Sequence, residues 1–341
     1  LISGEYAYVN GICYVISELY TNNGLGIFSL VTGTPFTGFL DGSIAFSDID
    51  NDGDEDVLIT GRRGMYPNFN AISELYTNDG SGNFSLVIGT PFPEIWGSFV
   101  AFSDIDGDGD EDLLITGNDN NQDEFAELYT NDGIGNFALV ANTPFIGVYA
   151  SSIDFSDIDN DGDKDVLIAG RYCIPGICYV TTDLYQNDGL GNFSLVSGTP
   201  FPDIYHGSIA FSDVDNDGDK DVLITGENLA ELYENDGLGN FSLVSNTPFT
   251  GVYNSSIAFS DIDKDGDEDV LVTGSIDVGG FVGFSSFYRN ITAVTGINEF
   301  NKNKKLLKIT DLLGRETKGK RNQPLFYIYD DGTVEKRLII E

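Results

Sequence analysis

Apolar residues alternate with small or polar ones along most of the chain, as in SIAFS at 43–47, SELYT at 73–77 and FSLV at 84–87. With Val, Ile, Phe and Tyr at the apolar places and Asn-Asp-Gly between the runs, this period of two predicts half-buried strands joined by tight turns. Four short strands emerge: A around Ile44, B from Val57 to Thr60, C from Glu74 to Thr77 and D from Phe84 to Val87. Between C and D, the NDGxGN turn places glycine where a hairpin needs positive φ. No helical period is needed anywhere.

The pattern repeats. Between A and B lies DIDNDGDED at 48, and it returns as DIDGDGDED at 104, DIDNDGDKD at 157, DVDNDGDKD at 213 and DIDKDGDED at 261, at spacings of 56, 53, 56 and 48 residues. Four-stranded units at such spacings cannot bury their faces singly and predict an all-β fold, a β-propeller of four-stranded blades around an axis. Residues 1 to about 40 supply B, C and D of a further unit, and the last unit has A, B and C with no FSLV strand after Tyr288, so about six units are visible. The intact protein is expected to have six or seven, with an earlier D strand able to close the ring. Leu1-Ile2-Ser3-Gly4 matches the LITG that follows each acidic segment, so the sequence reads as the C-terminal part of a longer chain.

The acidic loops crowd like charges that would repel by roughly 3 kcal/mol per neighbouring pair at an effective dielectric near 20. A divalent cation removes that conflict. In each nonapeptide the carboxylates fall at positions 1, 3, 5, 7 and 9, with glycine at 6 for a sharp turn. The candidate ligands are Asp48, Asp50, Asp52, Asp54 and Asp56; Asp104, Asp106, Asp108, Asp110 and Asp112; Asp157, Asp159, Asp161, Asp163 and Asp165; Asp213, Asp215, Asp217, Asp219 and Asp221; and Asp261, Asp263, Asp265, Asp267 and Asp269. Hard oxygens in this number suit Ca²⁺, with position 7 expected to offer its carbonyl. An EF-hand is excluded, because position 12 is Ile59, not Glu, and both flanks are strands. About five calcium sites with a structural role follow.

Charge narrows the partners. The 341 residues carry a net charge of −38, which disfavours nucleic acid and anionic membranes. No apolar run of membrane-spanning length occurs, and LISGEYAYVN lacks a signal-peptide pattern. Residues 1–290 hold 48 acidic against 7 basic side chains, whereas residues 291–341 hold 7 against 10, marking a boundary near Asn290.

The D-x-D-x-D-G-x-x-D loops followed by VLITG resemble the FG-GAP and VCBS-type repeats of calcium-binding β-propellers over about residues 1–290. That resemblance implies metal loops on one face bracing the blades, and ligands on the other, the side of the B-to-C loops and D-to-A connectors. Members range from adhesion receptors to accessory domains of polysaccharide lyases, so fold alone does not set function.

On that side, the B-to-C loops differ most: GRRGMYPNFNAI at 61, GNDNNQDEF at 117, GRYCIPGICYV at 170, GEN at 226 and GSIDVGGFVGF at 274. Each connector offers one bulky residue, Leu40, Trp96, Tyr149, Tyr205 or Tyr253. This column either wedges between neighbouring blades, the more economical reading, or lines the channel mouth for stacking on sugar or peptide. The acid of ELY (Glu18, Glu74, Glu127, Asp183, Glu231) recurs in five units and reads as structural. His206 has no neighbouring nucleophile, and no catalytic set is found. The NFS triplets at Asn83, Asn192 and Asn240 read as turn chemistry. Cys173 and Cys178 are close enough for a local disulfide if their loop turns back. Cys13 has no evident partner.

In residues 302–341, LLKIT and LFYIY predict strands and DDGT a turn into VEKRLIIE, after a linker at 291–301. KITDLLGRE and PLFYIYDDGTVEKRLIIE resemble the type A C-terminal sorting domain of Bacteroidetes proteins exported by the type IX secretion system. The resemblance implies that the secretion machinery is a partner and that the protein ends at the cell surface or outside it. The expected function is a calcium-braced binding or adhesion module for a glycan or a surface protein. The alternative is part of a secreted polysaccharide lyase or hydrolase, for which Arg62, Arg63 and Tyr66 form the nearest cluster.

Overall fold

The computed structural model describes residues 1–9, 12–65, 68–290, 306–310, 317, 324–329 and 334–338. The expected linker at 291–301, the DDGT turn, Tyr66 and the Cys13 side chain lie outside the described residues. Two compact units divide the chain, Leu1–Thr292 and Ala293–Glu341.

The first unit is an all-β propeller of six antiparallel sheets, each formed from strands consecutive in sequence. Blade 1 holds β1 (Ile2–Val9), β2 (Ile12–Asn22) and β3 (Phe28–Val31), and blade 2 holds β4 (Ile44–Ser47), β5 (Asp56–Met65), β6 (Asn68–Asn78) and β7 (Phe84–Leu86). Blade 3 comprises β8 (Trp96–Ser103), β9 (Asp112–Asn118), β10 (Glu124–Asn131) and β11 (Phe137–Leu139). In blade 4 these places are taken by β12 (Tyr149–Ser156), β13 (Asp165–Ile174), β14 (Ile177–Gln186) and β15 (Ser194–Leu195). Blade 5 has β16 (Ser208–Ser212), β17 (Asp221–Gly226), β18 (Leu229–Asn235) and β19 (Phe241–Leu243), and blade 6 has β20 (Tyr253–Ser260), β21 (Asp269–Asp277) and β22 (Phe281–Tyr288). Blades 2 to 5 thus carry strands A to D in order, while blade 1 has B to D and blade 6 has A to C.

Strands B and C run beyond their expected ends, so much of what reads as variable loop is hairpin. In blade 2 the pairing continues to Met65↔Asn68, and in blade 4 to Ile174↔Ile177, leaving only Pro175 and Gly176 at the tip. The pairing sets Cys173 opposite Cys178, and the two form a disulfide.

The core lies between blades. One cluster joins Ile49, Leu58 and Leu75 of blade 2 to Val100, Leu113, Ile115 and Tyr129 of blade 3. The next joins Ile105, Leu114 and Leu128 to Ile153, Val166, Ile168 and Tyr185, and the same positions recur between blades 4 and 5. Alternation gives each blade one face for the blade before and one for the blade after. The wedge expected of the bulky connector column belongs to the residue before it: Phe39 is 4% exposed and Ile95, Val148, Ile204 and Val252 are 0% exposed. Adjacent extended residues point to opposite sides, which turns Trp96 and Tyr149 toward the axis.

The second unit contains a three-stranded antiparallel sheet of β23 (Leu306–Thr310), β24 (Pro324–Tyr329) and β25 (Val334–Leu338). Among the described residues no helix is long and apolar enough to cross a membrane.

Candidate functional site

Each acidic nonapeptide joins the end of strand A to the start of strand B. Position 6 requires left-handed backbone, with φ of 94° at Gly53, 98° at Gly162 and 101° at Gly218, where glycine carries no Cβ penalty. The loop then folds on its own carboxylates. Asp48 accepts from the Asp52 and Gly53 amides at 3.1 and 2.9 Å, and Asp52 accepts from the Asp54 amide at 3.0 Å.

This curl brings carboxylate oxygens within 4.8 Å of one another in five groups: Asp48, Asp50 and Asp56; Asp104, Asp106 and Asp108; Asp157, Asp159 and Asp165; Asp213, Asp215 and Asp221; and Asp261, Asp263 and Asp265. Positions 1 and 3 take part in all five, joined by position 9 in three and position 5 in two. Of the remaining candidates, Asp52, Asp161 and Asp217 at position 5 and Asp112 and Asp269 at position 9 lie outside these groups but in the same loops. At position 7 the carboxylates of Asp54, Asp110, Asp163 and Asp219 instead lie against Gly80, Gly133, Gly189 and Gly237 of the C-to-D turn, where a Cβ would collide with them. Asp267 has Oδ2 buried without a partner.

These groups fit a metal ion on an observation independent of their sequence. Asp50, Asp106 and Asp159 at position 3 and Asp157 and Asp213 at position 1 each bury an Oδ1 that receives no hydrogen bond. A buried carboxylate oxygen without a donor is costly unless a cation satisfies it. Burial, with the charge of the position-5 neighbour, pushes the Asp50, Asp106, Asp159 and Asp215 carboxyls above their ordinary range. Burial also pushes Asp56, Asp165 and Asp221 up to about 6 and Asp112 up to about 7, against backbone donors that hold them down. A bound cation would return them to the ionised form.

The position-9 carboxylate also ties three segments together. Asp56 accepts from the Ile49 amide at 3.2 Å within its own loop and from the Asn78 amide at 2.7 Å where strand C ends. From strand C a second tie crosses to the preceding blade: Asn131, Asn187, Asn235 and Asn290 donate their side-chain amides to the carbonyls of Ile49, Ile105, Ile158 and Val214 at 2.7 to 2.8 Å. Asn51 and Asn160, at loop position 4, reach forward to Asp110 and Asp219 of the next blade's loop at 2.7 Å. The loops therefore sit at the seams between blades, and a cation held there stiffens both the loop and the joint.

Strand A runs from this acidic end to the opposite one, about 23 Å away for a seven-step strand. There the axial channel opens into a cavity of about 500 Å³ lined in part by Asp41, Trp96, Tyr149, Ser151, His206 and Asn254. Trp96 packs edge-on to Phe69 at 5.2 Å and lies 6.4 Å from Tyr149, and its Nε1 donates to the Asp119 carbonyl at 3.2 Å. The Arg171 guanidinium lies 5.9 Å from the Tyr149 ring and 5.5 Å from the Tyr205 ring. Tyr253 packs edge-on to Phe281 at 5.3 Å, and Leu40 pairs with Arg62 through its backbone. Trp96 and Tyr149 border the cavity, while Leu40, Tyr205 and Tyr253 brace the hairpins around it.

Just after that column the chain turns left-handed in each of blades 2 to 6, at Asp41, Gly97, Ala150, His206 and Asn254, with φ between 48° and 55°. A partial hoop of backbone hydrogen bonds follows: Gly97 donates to Asp41 at 2.5 Å, His206 to Ala150 at 2.8 Å and Ser255 to His206 at 3.2 Å. One backbone place in five units thus presents five different residues to the channel. Comparing the units place by place, not reading for the shared motif, is the signal that exposes it. Asp154, where other units have Ala, was likewise missed; it accepts from the Phe211 amide at 2.8 Å, and burial pushes its carboxyl up to about 6.

The recurrent acid of ELY is structural: the Tyr20, Tyr76, Tyr129 and Tyr233 hydroxyls donate to Glu18, Glu74, Glu127 and Glu231 two residues earlier at 2.5 to 2.7 Å. Asn83, Asn192 and Asn240 close their turns by donating to Asp79, Asp188 and Asp236.

Among solved structures, the chain is similar to one described as the basis of specific recognition of non-reducing terminal N-acetylglucosamine by an Agrocybe aegerita lectin, at 17% identity and a TM-score of 0.53, covering 83% of this chain and 76% of that one. A second similarity is to a Photorhabdus luminescens Tc holotoxin pore structure, at 15% identity and a TM-score of 0.42, covering 84% of this chain and 13% of that one. No curated protein matches the sequence. The model of the FG-GAP-like repeat matches residues 48–115, 104–168 and 213–272, more than half the chain and all five of its aspartate loops. The chain belongs to the FG-GAP-like repeat family.

Proposed function

We propose that this protein is a calcium-braced binding module of the outer cell surface or extracellular medium, taking a glycan at the axial cavity. The observation that carries this reading is the pairing of the Trp96 and Tyr149 faces with the polar rim of Asp41, His206 and Asn254 around about 500 Å³ of open space. Aromatic faces suit the C–H faces of a sugar ring, and nearby polar groups suit its hydroxyls. The propeller likeness to a glycan-recognising lectin supports the same class of ligand. A surface protein presenting such a glycan is the corresponding macromolecular partner.

Calcium is the ion we assign to the five loops, because all donors are hard oxygens in glycine-turned loops that tolerate varied geometry. Its part is structural: it holds the seams, and the binding face stands at the far end of strand A. The residues 302–341, similar to a type IX sorting tail, support delivery across the outer membrane by that machinery, into a medium where millimolar calcium keeps the loops filled.

A glycan array probed with the whole chain, with and without calcium, tests the proposal. Binding to a defined sugar class that is lost in Trp96→Ala, while the variant keeps its fold by circular dichroism at the assay temperature, is the expected result. Absence of binding to any glycan in calcium, or binding indifferent to Trp96 and Tyr149, overturns it, and release of shortened sugar chains transfers the protein to the enzyme class.

A further inference from the structure

Positive charge is scarce in the propeller, and its placement is uneven. Residues 1–290 contain seven basic side chains, four of them on the metal side: Lys164, Lys220 and Lys264 stand within the aspartate nonapeptides, and Arg289 pairs with Asp263 at 3.0 Å. The other three, Arg62, Arg63 and Arg171, lie on strand B of blades 2 and 4 toward the cavity end. Arg62 is matched by Asp41 at 2.5 Å and Arg63 by Glu74 at 2.6 Å. Among the described residues, the Arg171 guanidinium has no carboxylate within ion-pair distance and donates no hydrogen bond; its contacts are two aromatic rings.

Arg171 is nevertheless held in place. It is half-buried, pairs with Tyr149 across strands A and B of blade 4, and sets its guanidinium over the Tyr149 ring at 5.9 Å and the Tyr205 ring of the following connector at 5.5 Å. Tyr205 in turn lies 5.1 Å from the ring of His206, which lines the axial cavity together with Tyr149. The His206 imidazole is lowered below its ordinary value first by burial, raised by Asp41 and Glu227, and lowered again by Arg171, so the guanidinium acts at the cavity wall. Ring faces attract a cation but leave the five N–H donors of its fork available.

We infer that the axial cavity selects a sugar carrying a carboxylate, which Arg171 receives through paired N–H···O bonds while the Trp96 and Tyr149 faces take the ring beside it. This rests on the glycan reading above and narrows it to a ligand class. A planar carboxylate matches the guanidinium fork in two parallel bonds. The acids near Arg171 do not compete for it: Asp41 is matched by Arg62, Glu124 accepts from the Cys173 amide at 3.0 Å, and Glu227 is exposed to solvent. The aspartate loops stand at the far end of strand A, beyond the roughly 8 Å over which charges act at physiological salt. One free guanidinium in a chain of net charge −38 suits a sugar with a single acidic group and disfavours a densely charged polyanion.

The test presents the whole chain, in calcium, with matched sets of glycans: those ending in glucuronate, galacturonate or sialate, the methyl ester of each, the neutral counterpart lacking the carboxylate, and a separate sulfated series. The carboxylate form should bind about ten- to a hundredfold more tightly than its ester and its neutral counterpart, the range of a charge-assisted hydrogen bond. That comparison needs no variant. Arg171→Gln should erase the preference and leave neutral binding as it was, and Arg171→Lys, which keeps the charge without the fork, should restore only part of it; circular dichroism checks that both variants keep the fold. Equal binding of the three forms, preference for the ester or the neutral sugar, preference for sulfate over carboxylate, or a carboxylate preference that survives Arg171→Gln overturns the inference and leaves the glycan reading standing. Absence of binding to every glycan overturns both.

Discussion

The side-chain amide of Asn131 donates to the carbonyl of Ile49, 82 residues earlier, at 2.8 Å. Its other contact is to the Glu111 carbonyl at 3.3 Å in its own blade, so one amide bridges two acidic loops at a seam. Asn131→Ala should cost about 1–3 kcal/mol in urea unfolding with calcium saturating, because it leaves buried carbonyls without donors. Asn83→Ala, at an exposed turn, should cost less than about 1 kcal/mol.

Removing divalent cation should lower the melting temperature by more than about 10 °C, since each loop then retains unneutralised buried carboxylates and the seams loosen together. Calorimetry in excess EDTA against calcium measures it, and an unchanged curve excludes a structural metal. Asp50→Asn should abolish one site and shift the midpoint by roughly a fifth of the full effect if the sites act independently.

Acid should act in opposite directions on the two forms. The folded, metal-free chain has Asp56, Asp165 and Asp221 near 6 and Asp112 near 7, above an unfolded carboxyl near 3.9. Raised folded values mean more protons bound in the folded state between those limits, so metal-free stability should grow as pH falls from about 7.5 to about 5. With calcium bound, the same carboxylates are held ionised, and stability should decline over that range as protons displace the ion. Melting scans at pH 5.5 and 7.5, in EDTA and in calcium, compare the slopes.

Ala150 is held at φ 48° within the axial hoop, a conformation that costs an L-residue about 1 kcal/mol. Ala150→Gly should therefore be neutral or stabilising by up to about 1 kcal/mol in denaturant unfolding, against the usual loss for glycine in a strand.

The acidic loops were legible in the sequence because each repeats the same residues for the same local reason, a turn around clustered oxygens. Strands A, C and D followed from period-two alternation, whereas strand B reads as an apolar run that the blades bury on both faces, as at Val57, Leu58 and Ile59. The wedge was displaced by one residue, from Trp96 to Ile95, because aromatic bulk in a connector carries no record of which way it points. Strand ends in the hairpins were hidden too: Arg63 looks like loop sequence until its guanidinium meets Glu74 across the pair at 2.6 and 2.8 Å. What the axial cavity presents was least legible, since Asp41, His206 and Asn254 converge only through the arrangement of separate units.

The axial hoop has a consequence for how such a surface can change. Its bonds run between main-chain atoms, so the identity at each of its five stations can change, among residues that tolerate left-handed backbone, without remoulding the frame. Duplicated units then behave as interchangeable carriers of one letter each, and specificity can be rewritten by reshuffling them.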